Sequence, residues 1–183
     1  AAAVALYTFD FGKSYYESNP YRLINKPLMD RNEDALKKVR GMFFIMMSAL
    51  RKLPRSTGRT LYRGLKEDVD LSLYKEGKII VWPALSSTSP DMNTTKAFLA
   101  KQDKTDEQGD RRVAGTLFVI ESGWGYNIQP CSLFPEEEEI LLEPERCFRV
   151  QSVINADITV IKLHMLATSL ILPQVFGESE NNQ

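Results

Sequence analysis

The stretch "FPEEEEILL", Phe134 to Leu142, sets four successive carboxylates directly against three aliphatic residues. A run of like charges reads as a solvated face. Ile140-Leu141-Leu142 reads as a strand bound for the core. Side chains alternate along a strand, so Glu136 and Glu138 share a face with Ile140 and Leu142. With Ile140 and Leu142 in the core, Glu137 and Glu139 face the other way, toward a cleft. Two readings of the pair stand. It is an acidic entry to an edge strand that blocks sheet-to-sheet aggregation. Or it is a carboxylate pair, one member compensating a developing cation and the other orienting or deprotonating an incoming nucleophile.

The chain around this stretch divides into helices first and strands later. Asp30 and Glu33 have capping-box spacing, and apolar positions 36, 39, 43, 46, 47 and 50 recur at helical intervals, so a helix is expected from Asp30 to Leu53. "Pro54-Arg55-Ser56-Thr57-Gly58" ends it as a loop. Strands are expected at 60–65 and 78–82. A helix follows, with Ser89 as N-cap and Pro90 at its first position, running to about Ala100. Lys101 to Arg112 reads as a charged loop, 115–120 as a strand, and Ser122 to Gly125 as a turn. Strands at 138–142, 147–154 and 158–166 complete the β-rich half. The sequence predicts one domain over 1–176 and a disordered tail, "GESENNQ", over 177–183. Segregated elements of this kind predict an α+β fold with largely antiparallel sheets.

Composition narrows the function classes. The 183 residues are 43 % hydrophobic and 26 % charged, with a formal net charge of -1. Such a balance gives no electrostatic reason to expect nucleic acid or an anionic membrane as partner. No apolar run approaches the roughly 18 residues that span a bilayer. "AAAVAL" at the start leaves room for a native leader upstream. Two cysteines, Cys131 and Cys147, and one histidine, His164, argue against a structural zinc site. They also argue against a Cys–His or Ser–His–Asp hydrolase. His164 sits among strand residues in "DITVIKLHML" and reads as structural, and the cysteines read as free thiols.

Two further stretches carry polar residues inside strand-like text. Arg63 stands in "LYRGL". An arginine in an apolar strand needs an anionic partner, which is either a structural carboxylate or a ligand. Gly64, next to it, removes a side chain and lets a ligand approach the backbone. "Ser86-Ser87-Thr88-Ser89" follows the second strand and serves equally as a loop or a cap.

Taken in order, "TLYRGL", "WPALSSTSPD…AF" and "SLFPEEEEILLEPERCFRV" resemble the mono-ADP-ribosyltransferases. The similarity is to the arginine-specific branch, shared by vertebrate ecto-enzymes and several bacterial toxins. It extends over roughly residues 5 to 166, including "LYT…YRLINKPL" before the long helix. The resemblance implies amino-terminal helices followed by two packed, mainly antiparallel sheets around an NAD cleft. It implies that ADP-ribose moves from NAD to a protein side chain, arginine above all, with release of nicotinamide. The alternatives on the same fold are an NAD glycohydrolase and a catalytically silent binding module.

The same resemblance distributes roles. The family's last glutamate immediately precedes an Ile/Val-Leu pair, which selects Glu139 as catalytic and Glu137 as its partner. Arg63 binds NAD phosphate, beside Gly64. Ser87 holds Glu139 and the nicotinamide side, Thr88 and Ser89 shape the site, and Phe98 is an aromatic wall for the nicotinamide. The loop from about Ile128 to Glu138 recognises the acceptor. NAD is the co-substrate, no metal is expected, and the chain is expected to be a monomer acting on a protein whose identity stays open, as does its compartment: cytoplasm or secreted effector. The ecto-enzymes tie the domain ends with a disulfide, whereas Cys131 and Cys147 flank the glutamates.

Overall fold

Three helices open the chain: α1 (Ala2–Tyr7), α2 (Pro20–Met29) and α3 (Glu33–Leu50). The computed structural model describes residues 2–100, 104–105, 111–112, 115–156 and 158–169. α2 begins with Pro20 at its first position after Asn19, where the missing N–H costs nothing. The long helix does not start at Asp30. Asp30 closes α2, and Arg31 takes a left-handed conformation (φ 49°) that breaks the chain. Asn32 then caps α3, its side-chain oxygen accepting from the Ala35 N–H at 3.0 Å, and Glu33 and Asp34 face the positive end of the helix dipole.

The strands are β1 (Arg55–Leu65), β2 (Ile79–Trp82), β3 (Ser86–Thr88), β4 (Lys104–Thr105), β5 (Arg111–Arg112), β6 (Thr116–Asn127), β7 (Ile140–Leu142), β8 (Arg146–Ile154) and β9 (Thr159–Ser169). A fourth helix, α4 (Met92–Ala100), lies between β3 and β4. Its cap is Asp91 rather than Ser89: the Asp91 carboxylate accepts from Asn93 N at 2.9 Å and Thr94 N at 3.2 Å. Ser89 is unavailable because it exchanges both backbone hydrogen bonds with Tyr62 of β1, at 2.8 and 2.9 Å. Of the expected charged loop, only β4 and β5 fall within the described residues, paired with each other; the expected tail lies outside them.

β6 organises the sheet. Its first half pairs with β9 in parallel, its end pairs with β7, and β1 runs antiparallel along its length. β2 and β8 extend the sheet beyond β9, and β3 extends it beyond β7. Every other pairing among the described residues is antiparallel. The expected turn at Ser122–Gly125 is instead an irregularity within the strand. Ser122 adopts φ 54°, and the register with β1 shifts between Arg59 and Leu61. Gly123 is required here, because a Cβ would sit 2.7 Å from Leu61 Cδ1.

This arrangement produces two cores. Leu61, Phe118, Ile120, Ile140, Leu142, Phe148, Val150, Ile161 and Leu163 form one, drawn from β1, β6, β7, β8 and β9. Leu141, on the opposite face of β7, joins the other core with Tyr126 and the helical residues Val4, Tyr7, Ile24, Met46 and Leu50. β7 is thus buried on both faces. That explains three consecutive aliphatics where a half-exposed strand would alternate.

Candidate active site

β1, β3 and the segment entering β7 bring Arg63, Ser87 and Glu139 together. In β3 the neighbours Ser86 and Thr88 are buried and Ser87 is exposed, as alternation demands. Ser87 pairs with Leu141 of β7, which places it diagonally beside Glu139 on the helix-facing side. The Ser87 hydroxyl donates to the Glu139 carboxylate. Arg63 of β1 is partly buried and reaches the same strand, Nη1 donating to the Ser87 carbonyl at 2.7 Å. Its guanidinium also lies over the Trp82 ring, 5.7 Å from the centroid.

Glu139 is only 7 % exposed, and its carbonyl accepts from Ile128 N at 3.1 Å. Burial pushes its carboxyl up to about 7. The Ser87 hydrogen bond opposes that rise, the Glu137 charge adds to it, and the Arg63 guanidinium opposes it. Burial also pulls the Arg63 guanidinium below its ordinary value, with Tyr7, Glu139 and Tyr74 holding it up.

Glu137 comes to this site by a different route from the one expected. The strand starts at Ile140, not at Glu138. Pro135–Glu137 is a 3₁₀ turn, and Glu138 ends it in a left-handed conformation, φ 47°. Strand alternation therefore never reaches Glu137. The turn leaves it exposed but close enough for its charge to act on Glu139. Glu138 lines a separate polar groove with Arg55, Arg59 and Asn127.

Three other predicted residues make structural contacts. The space beside Gly64 is not left for a ligand: a Cβ there would meet Leu99 Cγ at 3.0 Å and Thr95 Cγ2 at 3.2 Å, so the glycine admits α4 against β1. The Thr88 hydroxyl is buried and donates to the Ile140 carbonyl at 2.6 Å, tying β3 to β7. The Ser89 hydroxyl accepts from Asp91 N at 3.1 Å. Both hydroxyls hold the frame around Ser87. Phe98 lies in α4, and its side chain is outside the described residues. Cys131 and Cys147 are both free, as expected.

Sequence reasoning assigned nothing to Tyr7, Asn25 and Trp82. Asn25 Nδ2 donates to the Tyr7 hydroxyl at 3.0 Å and to the Leu85 carbonyl at 3.1 Å, immediately before β3. The signal was present: Asn25 is a polar residue within the apolar stripe of a helix, beside Ile24 and Leu28.

An arginine, a hydroxyl and a buried carboxylate thus lie together, and comparison with known proteins gives them a family context. The NAD(+)--arginine ADP-ribosyltransferase Vis of Vibrio splendidus (strain 12B01) is 32 % identical over 108 residues, which are 58 % of this chain and 41 % of that protein. The match thus spans less than half the length of that relative. The solved structure of Vis toxin, an ADP-ribosyltransferase, superposes with a TM-score of 0.65 at 25 % identity, covering 93 % of this chain and 74 % of the other. Vis in complex with agmatine gives a TM-score of 0.55 at 26 % identity, covering 90 % and 67 %. The family model described as "NAD:arginine ADP-ribosyltransferase" matches residues 2–169, and the chain belongs to that family.

Proposed function

We propose that this chain transfers ADP-ribose from NAD to an arginine side chain of a protein acceptor and releases nicotinamide. The observation that carries the reading is the buried Glu139 carboxylate, held by Ser87 and flanked by Arg63 and Glu137. Arg63 spends one Nη1 hydrogen on the Ser87 carbonyl and keeps the rest of its planar fork for a pyrophosphate oxygen pair. The bond from ribose C1′ to the nicotinamide nitrogen breaks, and its electron pair leaves with neutral nicotinamide. The ribose is left as an oxocarbenium-like cation. Ionised Glu139 accepts a hydrogen bond from a ribose hydroxyl and stabilises that cation in a site poor in water. A guanidinium nitrogen of the acceptor then bonds to C1′. The proton it loses goes to Glu137, which is exposed to solvent.

The test is nicotinamide release with and without agmatine, used as a small guanidinium acceptor. Wild-type protein should release nicotinamide slowly alone and faster with agmatine. Glu139→Gln keeps the shape and removes the charge, so both rates should fall by about 10²-fold or more. Glu137→Gln should lose the agmatine-dependent increment and keep most of the hydrolysis. An agmatine-independent wild-type rate would identify a glycohydrolase. A Glu139→Gln protein with wild-type rates would overturn the assignment.

A further inference from the structure

Arg63 is half-buried in β1, and among the described residues no carboxylate forms an ion pair with it. Its one hydrogen bond among those residues runs from Nη1 to the Ser87 carbonyl, 2.7 Å away. What the cation meets instead is an aromatic ring. The guanidinium carbon stands over Trp82, 5.7 Å from the ring centroid, within the range at which an aromatic face attracts a cation. The indole is itself held from two strands. Phe118 of β6 lies edge-on to it at 5.0 Å, and Phe148 of β8 is tilted against it at 4.6 Å. β2 and β3 stand at opposite ends of the strand order, yet Arg63 touches both, Trp82 through the ring and Ser87 through the hydrogen bond.

We propose that Trp82 is a positioning residue for Arg63: its ring holds the guanidinium in place before NAD binds, leaving the donors that Ser87 does not use for the pyrophosphate. This rests on the role given to Arg63 in the proposed transfer, and extends it to a residue that the family resemblance leaves without one. Two physical reasons favour a ring over a carboxylate here. A ring compensates a half-buried cation without carrying a net charge, so the positive charge stays available to phosphate. It also restrains a long side chain that would otherwise have to be ordered when the ligand binds, and that ordering lowers affinity. Trp82 also packs in the sheet core beside Phe118 and Phe148. A residue that only filled that core would affect stability and leave NAD affinity alone.

The test changes the electronics of the ring and keeps its shape. Tryptophans carrying one, two and three fluorines are placed at position 82 alone, and NAD affinity is measured by calorimetry. Fluorine withdraws electron density from the ring face, so affinity should fall stepwise, by about 2- to 10-fold across the series. Trp82→Leu should lose at least as much, with thermal unfolding used to confirm that it folds; the fluorinated proteins decide the matter if it does not. In an Arg63→Ala background the dependence on fluorine should vanish, because Trp82 acts through the guanidinium. An affinity indifferent to fluorination in the wild-type background overturns the proposal. So does a dependence that persists without Arg63, which would place the indole against NAD itself. Calorimetry reads binding and not turnover. A protein that shows the expected dependence but releases no nicotinamide therefore keeps the role of Trp82 and loses the proposed transfer, and a wild type that binds no NAD overturns both.

Discussion

Glu139 destabilises the fold whenever it is ionised. Its carboxyl titrates at about 7 in the folded chain against 4.5 when unperturbed, because burial disfavours the charge. The folded state therefore holds a proton that the unfolded state has released between those values, and stability falls as pH rises through that window. The full effect above pH 7 is on the order of 3 kcal/mol. Glu139→Gln should accordingly be more stable than wild type at pH 8, with the advantage shrinking as pH drops and gone near pH 4. Thermal unfolding of both proteins across pH 4–8 measures it; a difference independent of pH would contradict the burial of an ionisable Glu139. Under the proposed transfer, activity and stability oppose each other at one side chain, since the charge assigned to the ribose cation is the charge that burial disfavours.

The contact of β1 with α4 depends on Gly64. Leu99 is 1 % exposed and Thr95 5 %, so neither has room to retreat from a Cβ placed 3.0–3.2 Å away. Gly64→Ala should cost about 1–2 kcal/mol by overpacking, and Gly64→Val more. Urea unfolding checks the loss. The neighbouring Arg63 would shift with the strand, so NAD affinity measured by calorimetry should weaken in the same variants. Unchanged stability in Gly64→Val would show that the glycine serves something other than α4.

Across the molecule, Glu143 joins the helical and β-rich halves. It follows β7 directly and takes Arg146 of β8, the Tyr126 hydroxyl of β6 at 3.1 Å, and Arg51 at the end of α3 at 3.4 Å. Arg146 is 3 % exposed and stacks 3.6 Å from the Trp124 centroid. Removing its carboxylate partner leaves a buried charge without compensation, so Glu143→Leu should cost about 3–5 kcal/mol. Glu143→Leu combined with Arg146→Met should recover most of that loss, because both charges are then gone. A denaturant double-mutant cycle reads the coupling, and simple additivity would disprove it.

Local chemistry was enough to place much of this in the sequence. Arg63 and Glu139 stood out as polar residues in strand-like text, and the resemblance to a family joined them with Ser87 as a candidate site. The free cysteines and the helices-then-strands order were legible for the same local reasons. Tertiary structure decided what depends on pairing. The 3₁₀ turn at Pro135 and the left-handed Glu138 placed Glu137, although strand parity had named the same residue for a different reason. Ser89 lost the helix cap to Asp91 because its backbone was taken by Tyr62, and Gly64 faces a helix that no β1 residue announces. Tyr7, Asn25 and the Leu85 carbonyl meet only because α1 and α2 fold against the chain just before β3. Such contacts join residues far apart in the chain, and no periodicity within one segment encodes them.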